Sequence, residues 1–392
     1  MRRSPLRRGS LAGFAALVAS LAPASVLAAD RSENPSANPL RGEFTIGKDG
    51  RLIVLPVTLN KREVRFLLDT GASRSAVDSS FKGELGQSRG QNLLQTPSGR
   101  KLAETFDWPD ARLGNQVFRS ALPILSIDLD PLRRATNEKI YGVIGMDVLG
   151  PCRVQIDFDR GLIRFLEGLP DEREELGAKV RLELADDGSP FIAGYVGRET
   201  PEYFLIDTGA QGNSLTAASF DALLASGAIR AGNDFTSMTI AGELQGERGR
   251  LGGLTVGPFT HRGIRVARVN VSSLGLRYLS RFLVTFDFPG QALYLQKGPI
   301  YQRPEPQATS GLMINWTRDG KPIVASVRRG GPAESAGIQA DDVLTRVENR
   351  RVEDYDQFSL RQLLTSQAGR RVSLVIQRGK RELKAELVLA ED

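Results

Sequence analysis

Short apolar runs separated by polar, glycine-containing turns recur along most of the chain. Residues 64–68 and 203–206 each form an apolar run that stops at an aspartate, which is typical of a buried strand with an acidic residue at its end. Later runs predict hairpin strands at 154–156 with 162–165, and at 282–286 with 292–295. The pattern therefore predicts a mostly β protein.

The chain repeats one phrase, FLLDTGA at residues 66–72 and FLIDTGA at 204–210, so Asp69 and Asp207 occupy matched positions. Each half continues with an apolar-glycine turn, at Gly145 and Gly275, and an Asp-Phe pair begins 12 residues after each of these glycines. A repeated fold without shared chemistry would not need to keep both copies of the phrase intact. Two matched carboxylates indicate an acid/base pair, because like charges about 3 Å apart cannot both ionise.

These paired motifs resemble the aspartic proteases, and the retropepsin-like branch more closely than pepsin. The resemblance covers roughly residues 42–297 and implies two β-barrel lobes, 42–168 and 169–297, around a pseudo-twofold axis. It implies a catalytic dyad of Asp69 and Asp207, and supporting loop residues at Thr70, Gly71, Thr208, Gly209, Gly145 and Gly275.

The sequence departs from the pepsin pattern in two places. No tyrosine lies between Ala72 and Trp108, where pepsin-like enzymes keep a flap tyrosine, and alanine follows each Asp-Thr-Gly. A hydroxyl in place of that alanine would donate to the carboxylate and lower its pKa. We therefore expect a less acidic pH optimum than that of pepsin.

Each half also has a polar, glycine-containing turn between its aspartate and its apolar-glycine loop, at residues 97–99 and 241–243. Either turn could tip a hairpin that closes over a substrate, or could belong to an ordinary surface hairpin. Residues 128–139 account for the additional length of the first half and could border the cleft.

Residues 1–28 have the order of a secretory signal peptide, with four arginines, an apolar stretch at 11–22 and a cleavage site after Ala28. That stretch is shorter than the ~20 residues that a membrane span needs. We expect a periplasmic or secreted protein with a flexible tail at 29–41 and no stable membrane anchor. Cleavage would lower the formal charge from +6 to 6 − 4 = +2, so nucleic-acid binding is not indicated.

The sequence pattern of the two halves ends at a proline-rich linker at residues 298–310, and a different pattern follows it. Its phrases GGPAESAGI at 330–338 and DDVL at 341–344, with strands and one helix in order, resemble a bacterial PDZ domain, a small β-barrel with helices, over 311–392. The resemblance implies a peptide-binding loop at Gly311, Leu312, Met313 and Ile314, although Met313 stands where many members have glycine.

Together these features predict an exported aspartic endopeptidase that acts on protein or peptide substrates, needs no metal or cofactor, and uses its PDZ domain for recruitment or regulation. The alternative is a catalytically silent peptide-binding adaptor of the same fold. A metal hydrolase is a third possibility, but His261 and Cys152 are the only histidine and cysteine, which leaves little material for a zinc site. We expect His261 in a surface loop and Cys152 in the core.

Overall fold

The structure, a computed structural model, describes residues 39–391 except 97–98, 171–172, 198–199, 240–241 and 307. The predicted signal peptide and most of the predicted tail lie outside the described residues. The fold is 46% strand and 14% helix, which confirms the mostly β prediction. We call residues 42–168 the first lobe, 169–297 the second lobe and 311–392 the C-terminal unit, and these bounds stay predictions.

In the first lobe, alternating buried and exposed positions form strands that pack around a shared core. Its strands are β1 (Gly42–Thr45), β2 (Val54–Leu59), β3 (Arg62–Leu68), β4 (Ala76–Asp78), β5 (Gly90–Thr96), β6 (Gly99–Phe106), β7 (Ala111–Leu113), β8 (Gln116–Val117), β9 (Ile124–Ile127), β10 (Ile140–Ile144), β11 (Arg153–Asp157) and β12 (Leu162–Leu166). Its helices are α1 (Asp130–Thr136), α2 (Met146–Leu149) and a 3₁₀ turn at Ser79–Glu84. One sheet has the order β5-β6-β9-β4-β10-β3-β2-β7-β8, in which β10 runs parallel to β3.

The second lobe repeats this arrangement. A 3₁₀ turn at Arg173–Leu176 precedes the strands β13 (Ala178–Arg181), β14 (Glu183–Leu184), β15 (Pro190–Gly194), β16 (Glu202–Ile206), β17 (Asn213–Thr216), β18 (Ile229–Thr239), β19 (Gly242–Leu251), β20 (Leu254–Val256), β21 (Phe259–His261), β22 (Arg265–Val269), β23 (Ser273–Leu274), β24 (Phe282–Asp287) and β25 (Ala292–Lys297). Helices α3 (Ala217–Ala225) and α4 (Leu276–Leu279) complete it. Its sheet has the order β14-β15-β16-β23-β17-β22-β19-β18, and β16 runs parallel to β23 as β3 does to β10.

A third sheet joins the two lobes in the order β1-β12-β11-β24-β25-β13. The predicted hairpins β11–β12 and β24–β25 are confirmed, and they meet where β11 pairs antiparallel with β24. Ile156 lies opposite Val284 at this seam, and both side chains are fully buried in one core that extends through both lobes. The lobes therefore share a continuous apolar core, which is the main stabilising contribution to their packing.

The C-terminal unit has a core of its own, around buried residues such as Trp316 and Leu344. Its elements are preceded by β26 (Ala308–Thr309) at the end of the linker, which pairs with the last strand of the unit, and are β27 (Leu312–Trp316), β28 (Pro322–Val327), α5 (Pro332–Ser335), β29 (Val343–Val347), β30 (Arg350–Arg351), a 3₁₀ turn at Val352–Asp354, α6 (Gln357–Leu364), β31 (Arg371–Arg378), β32 (Arg381–Val388) and β33 (Ala390–Glu391). The predicted amphipathic helix is confirmed as α6, which begins where Asp356 Oδ1 accepts a hydrogen bond from the Ser359 amide at 2.9 Å.

The structure confirms the prediction for Cys152 and contradicts the prediction for His261. Cys152 is buried, as expected. The expectation that His261 lies in a surface loop is wrong: it ends β21, is 6% exposed and packs against Tyr278 and Tyr301. Its burial and the nearby charge of Arg281 lower the pKa of this imidazole to about 4. Across the part of the chain that the structure describes, none of the helices combines the length and apolar character of a membrane span.

Candidate active site

Each motif aspartate lies directly after a strand in the middle of its lobe's sheet. β3 ends at Leu68, and the Asp69 amide then donates to the Ile144 carbonyl at 3.0 Å. β16 ends at Ile206, and the Asp207 amide donates to the Leu274 carbonyl at 3.1 Å. Parallel neighbours β10 and β23 thus fix the two aspartates in the same way.

The threonines that follow the aspartates bond across the interface between the lobes. The Thr70 amide donates to Thr208 Oγ1 at 3.0 Å, and the Thr208 amide donates to Thr70 Oγ1 at 3.1 Å. Each hydroxyl then donates onward, Thr70 to the Ile206 carbonyl at 2.6 Å and Thr208 to the Leu68 carbonyl at 2.9 Å. The two amides and two hydroxyls of these threonines are buried, and each donates a hydrogen bond. A buried donor without a partner would cost about 1–3 kcal/mol of folding free energy.

The motif glycines permit close approach of the two carboxyl groups. A Cβ at Gly71 would lie 2.6 Å from Asp207 Cγ, and a Cβ at Gly209 would lie 2.3 Å from Asp69 Cγ. The backbone amides here also hold the acids, since Gly71 donates to Asp69 Oδ1 at 2.8 Å and Gly209 donates to Asp207 Oδ1 at 2.9 Å. A third amide, that of Ala210, donates to Asp207 Oδ1 at 3.0 Å.

The two buried carboxyl groups lie close enough to affect each other's ionisation. Burial, followed by the negative charge of Asp207, raises the pKa of Asp69 to about 8, and the amides of Gly71 and Ala72 oppose the rise. Burial also raises the pKa of Asp207, while its backbone amides and the hydrogen bond with Asp69 oppose that rise. The two carboxyl groups therefore favour a state in which the pair holds one proton and one negative charge.

The apolar-glycine loops support the motif loops from behind, with equivalent contacts in both lobes. A Cβ at Gly145 would lie 2.8 Å from the Ala72 carbonyl oxygen, and one at Gly275 would lie 2.5 Å from that of Ala210. Larger residues would therefore displace the loops that carry the aspartates.

Two supporting residues were missed in the sequence. Ser75 Oγ accepts a hydrogen bond from the Gly145 amide at 3.0 Å, and Asn213 Oδ1 accepts one from the Gly275 amide at 3.1 Å. Each lies six residues after its motif aspartate, and this matched spacing of polar residues was the signal that could have revealed them.

The symmetry breaks two residues after each supporting glycine. In the first lobe this position is Asp147, whose Oδ1 accepts hydrogen bonds from the Ser75 amide at 2.8 Å and the Ser75 hydroxyl at 2.6 Å. In the second lobe it is Arg277, whose side chain lines the cavity described next. The lobes thus match in backbone and differ in charge.

A cavity of about 680 Å³ lies over the two carboxyl groups. Its walls include Leu94 and Thr96 from the β5–β6 hairpin, Leu244 from the β18–β19 hairpin, and Leu132 from α1. The predicted hairpin tips fall largely outside the described residues, at 97–98 and 240–241, but their strands border the cavity. Residues 128–139 border it as well, through α1.

The C-terminal unit contributes another wall of this cavity. The predicted loop residues Gly311, Leu312, Met313 and Ile314 all line it, as do residues of α6. The Gly311 amide donates to Thr309 Oγ1 at 3.1 Å and the Leu312 amide to Ser310 Oγ at 3.2 Å, so neighbouring hydroxyls engage two of the loop's amides. Helix α1 packs beside β27, the strand that begins in this loop.

Comparisons with known proteins match two parts of the chain. Residues 55–148 match the family described as aspartyl protease, and residues 323–378 match the PDZ domain family. The order of the two units is as predicted, and the matches support a protease-type function. The first match includes Asp69 and Gly145 but ends before Asp207.

Among solved structures, the chain is similar to a photosystem II D1 C-terminal processing protease. The identity is 25% over 22% of this chain, with a TM-score of 0.21. The match spans 24% of that protease, and so limited a similarity carries no argument.

Proposed function

We propose that this protein is an aspartic endopeptidase in which Asp69 and Asp207 activate a water molecule to hydrolyse peptide bonds. The proposal depends on one observation above all: two carboxyl groups on matched loops, each packed against the glycine of the opposite loop, line the same cavity. The cavity volume of about 680 Å³ falls within the range of ligand sites. The aspartyl protease match adds support at the level of the family.

In the proposed mechanism the ionised Asp207 takes a proton from water, and the water oxygen attacks the scissile carbonyl carbon. Asp69 donates its proton to the carbonyl oxygen, which gives a tetrahedral diol. As the diol collapses, the C–N bond breaks, the leaving nitrogen takes the proton held by Asp207, and one diol hydroxyl returns a proton to Asp69. The pKa of about 8 keeps Asp69 protonated at neutral pH, as the first step requires.

The other parts of the chain receive roles consistent with this chemistry. Protein or peptide chains are the proposed substrates, and the PDZ unit would recruit them or regulate access to the dyad. Export to the periplasm or the exterior is proposed from the leader sequence alone.

The test is cleavage of a diverse peptide library by Asp69→Asn, Asp207→Asn and unmodified protein. Because acid/base catalysis contributes about 10²–10⁴-fold to a rate, each substitution is expected to lower kcat/KM at least ~100-fold. Asp186→Asn, at an exposed position outside the cavity lining, serves as the control and should keep full activity.

Circular dichroism would establish that the variants fold. Pepstatin should inhibit the unmodified protein, and a chelator should not. Activity that survives either dyad substitution would overturn the proposal. Peptide binding without any cleavage would instead favour the silent adaptor, and loss of activity with chelator would favour a metal hydrolase.

A further inference from the structure

A row of residues crosses four neighbouring strands beside the aspartate of the first lobe. Its members come from β3, β10, β4 and β9 in that order, and they are Leu67, Val143, Ala76 and Leu125. Leu67 is two residues before Asp69, and alternate residues of a strand point to the same face. The row therefore lies on the face that carries the Asp69 carboxyl group, and all four side chains line the cavity.

The second lobe has the matching row, with a different chemical character. Its members come from β16, β23, β17 and β22, and they are Leu205, Ser273, Ser214 and Ala267. Leu205 is two residues before Asp207, and this row lines the cavity as well. The first row is apolar throughout, whereas the second carries two hydroxyl groups in its middle and ends in a smaller side chain.

The two serines are bonded to each other in a way that leaves one acceptor. Ser214 Oγ donates its single hydrogen to the Val271 carbonyl at 2.7 Å. Ser273 Oγ is 2.8 Å from Ser214 Oγ and is therefore the donor of that bond. Both hydroxyl hydrogens are thus used, while the Ser273 oxygen keeps its capacity to accept. A ligand that contacts this pair is best matched when it donates a hydrogen bond.

Arginines also line the cavity in both lobes, and those nearest in sequence to the rows have partners in the protein. In the first lobe Arg74 donates to the Pro123 carbonyl and lies 3.7 Å from Asp147 Oδ2. In the second lobe Arg265 Nη1 donates to the Pro306 carbonyl at 3.3 Å. The difference between the two sides is therefore argued from the matched rows alone.

The two sides of the cavity also differ in room. Arg74 is five residues after its motif aspartate, and the matching position in the second lobe is Gly212, where a Cβ would meet open space. Helix α1 connects β9 to β10 and brings Leu132 and Ala135 to the cavity, whereas the matching connection from β22 to β23 consists of residues 270–272. The first lobe adds apolar surface where the second lobe leaves more space.

We propose that Ser214 and Ser273 form a polar subsite opposite an apolar subsite of the first lobe. The preferred substrates then carry an uncharged, hydrogen-bond-donating side chain on one side of the scissile bond and an apolar side chain on the other. The word substrate here rests on the proposed function. An Asn or Gln amide can donate to Ser273 Oγ, and a neutral donor suits the subsite better than a cation, because among the described lining residues only the dyad provides carboxylates.

The binding test uses Asp69→Asn, so that affinity is measured without hydrolysis. Labelled octapeptides carry Leu-Gln, Gln-Leu, Leu-Leu or Gln-Gln at the two central positions and are otherwise made of alanine and glycine. Affinity is measured by fluorescence anisotropy. We expect one of the two mixed peptides to bind about 10-fold more tightly than the Leu-Leu and Gln-Gln peptides. The order of residues in that peptide gives the direction in which a substrate crosses the dyad.

The matched rows supply the variants on the Asp69→Asn background. Ser273→Val with Ser214→Ala gives the second row the side chains of the first, so the Leu-Leu peptide should bind as tightly as the mixed one. Val143→Ser with Ala76→Ser is the reverse exchange and should raise the affinity for the Gln-Gln peptide in the same way. Ser373→Val, at an exposed strand position outside the cavity lining, should leave the preference unchanged. Circular dichroism shows which variants fold, and either pair suffices for the test.

The polar subsite is overturned if the Leu-Leu or Gln-Gln peptide binds at least as tightly as both mixed peptides, or if none of the four binds. It is also overturned if the preference is unchanged in folded exchange variants. Cleavage by the unmodified protein separates these results from the proposed function. Cleavage of all four peptides at equal rates removes the subsite and keeps the peptidase. Preferential binding of a mixed peptide without cleavage of any keeps the subsite and removes the peptidase.

Discussion

The alanine after each Asp-Thr-Gly leaves the dyad without a hydroxyl that could stabilise its charged form. Ala72 and Ala210 bring only backbone amides to the carboxyl groups, and burial then raises the pKa of both aspartates. The negative charge of Asp207 raises the pKa of Asp69 further, and Asp69 is the member that keeps its proton in the proposed mechanism. We therefore expect the pH range of activity to depend on these two carboxyl groups and on the backbone amides that donate to them.

We expect a bell-shaped dependence of kcat/KM on pH. The acidic limb reports ionisation of Asp207 and should lie above the ordinary aspartate pKa, because burial raises it. The alkaline limb reports loss of the Asp69 proton and should lie near pH 8. Activity confined to strong acid would contradict this prediction.

Ala72→Ser provides the matched variant for that profile. Its hydroxyl would donate to the Asp69 carboxylate and favour the charged form, so the alkaline limb should move to lower pH. Ala210→Ser should instead move the acidic limb downward. Unshifted limbs in both variants would show that these positions do not control the pair.

The duplicated phrase identified both aspartates, both threonines and two of the glycines from the sequence, and the repeated apolar-glycine turn identified the other two, because each depends on a local motif with a matched partner. Ser75 and Asn213 were missed, since a polar residue in a loop gains its role only when a distant amide is brought to it. His261 was placed wrongly for a related reason. Its aromatic neighbours come from positions up to 40 residues away.

Strands with clear apolar runs were predicted well. The hairpins β11–β12 and β24–β25, helix α6 and the strands that precede each aspartate all follow from local periodicity. A turn near residues 241–243 was predicted, but the long strands of the β18–β19 hairpin and helices α1 and α3 were not. Residues 229–251 are mostly polar, and their pairing is made by backbone hydrogen bonds that leave no apolar pattern in the sequence.

The core shared across the pairing of β11 with β24 can be tested by substitution. Ile156→Ala removes a fully buried side chain from the core shared by both lobes, which typically costs about 2–5 kcal/mol. Urea unfolding should show a lower midpoint for the whole two-lobed body. The half-exposed neighbour Gln155→Ala, on the opposite face of β11, should change the midpoint much less. A loss confined to one lobe would contradict the shared core.

The order of the units along the chain was predictable, whereas their packing was not. Each motif that resembles a protease or a PDZ domain is local in sequence, and family matches confirm that order. The contacts that bring the C-terminal unit to the cleft join isolated residues far apart. Arg51 of the first lobe is 3.0 Å from Asp356 and lies over the Phe358 ring at 5.2 Å. Neither contact belongs to a motif that can be recognised in the sequence.

The predicted proline-rich linker between the second lobe and the C-terminal unit is anchored through Glu305. This side chain is 5% exposed and is paired with Arg281, which is itself buried, and with Arg277. Fixing the linker here fixes where the C-terminal unit begins. The position of the PDZ wall of the cavity therefore depends in part on this buried carboxylate, together with the hydrogen bonds from Arg281 to the Arg303 carbonyl and from Arg250 to the Pro306 carbonyl.

Glu305→Ala should consequently affect both stability and the cleft. Removal of one partner leaves the buried Arg281 charge uncompensated, a change that typically costs about 3–5 kcal/mol, while Glu382→Gln at an exposed site should cost little. Urea unfolding measures the loss of stability, and limited trypsin digestion at Arg303 measures release of the linker. An unchanged midpoint with unchanged trypsin resistance would mean that the remaining carbonyl partners of Arg281, at Tyr301 and Arg303, suffice to hold the linker.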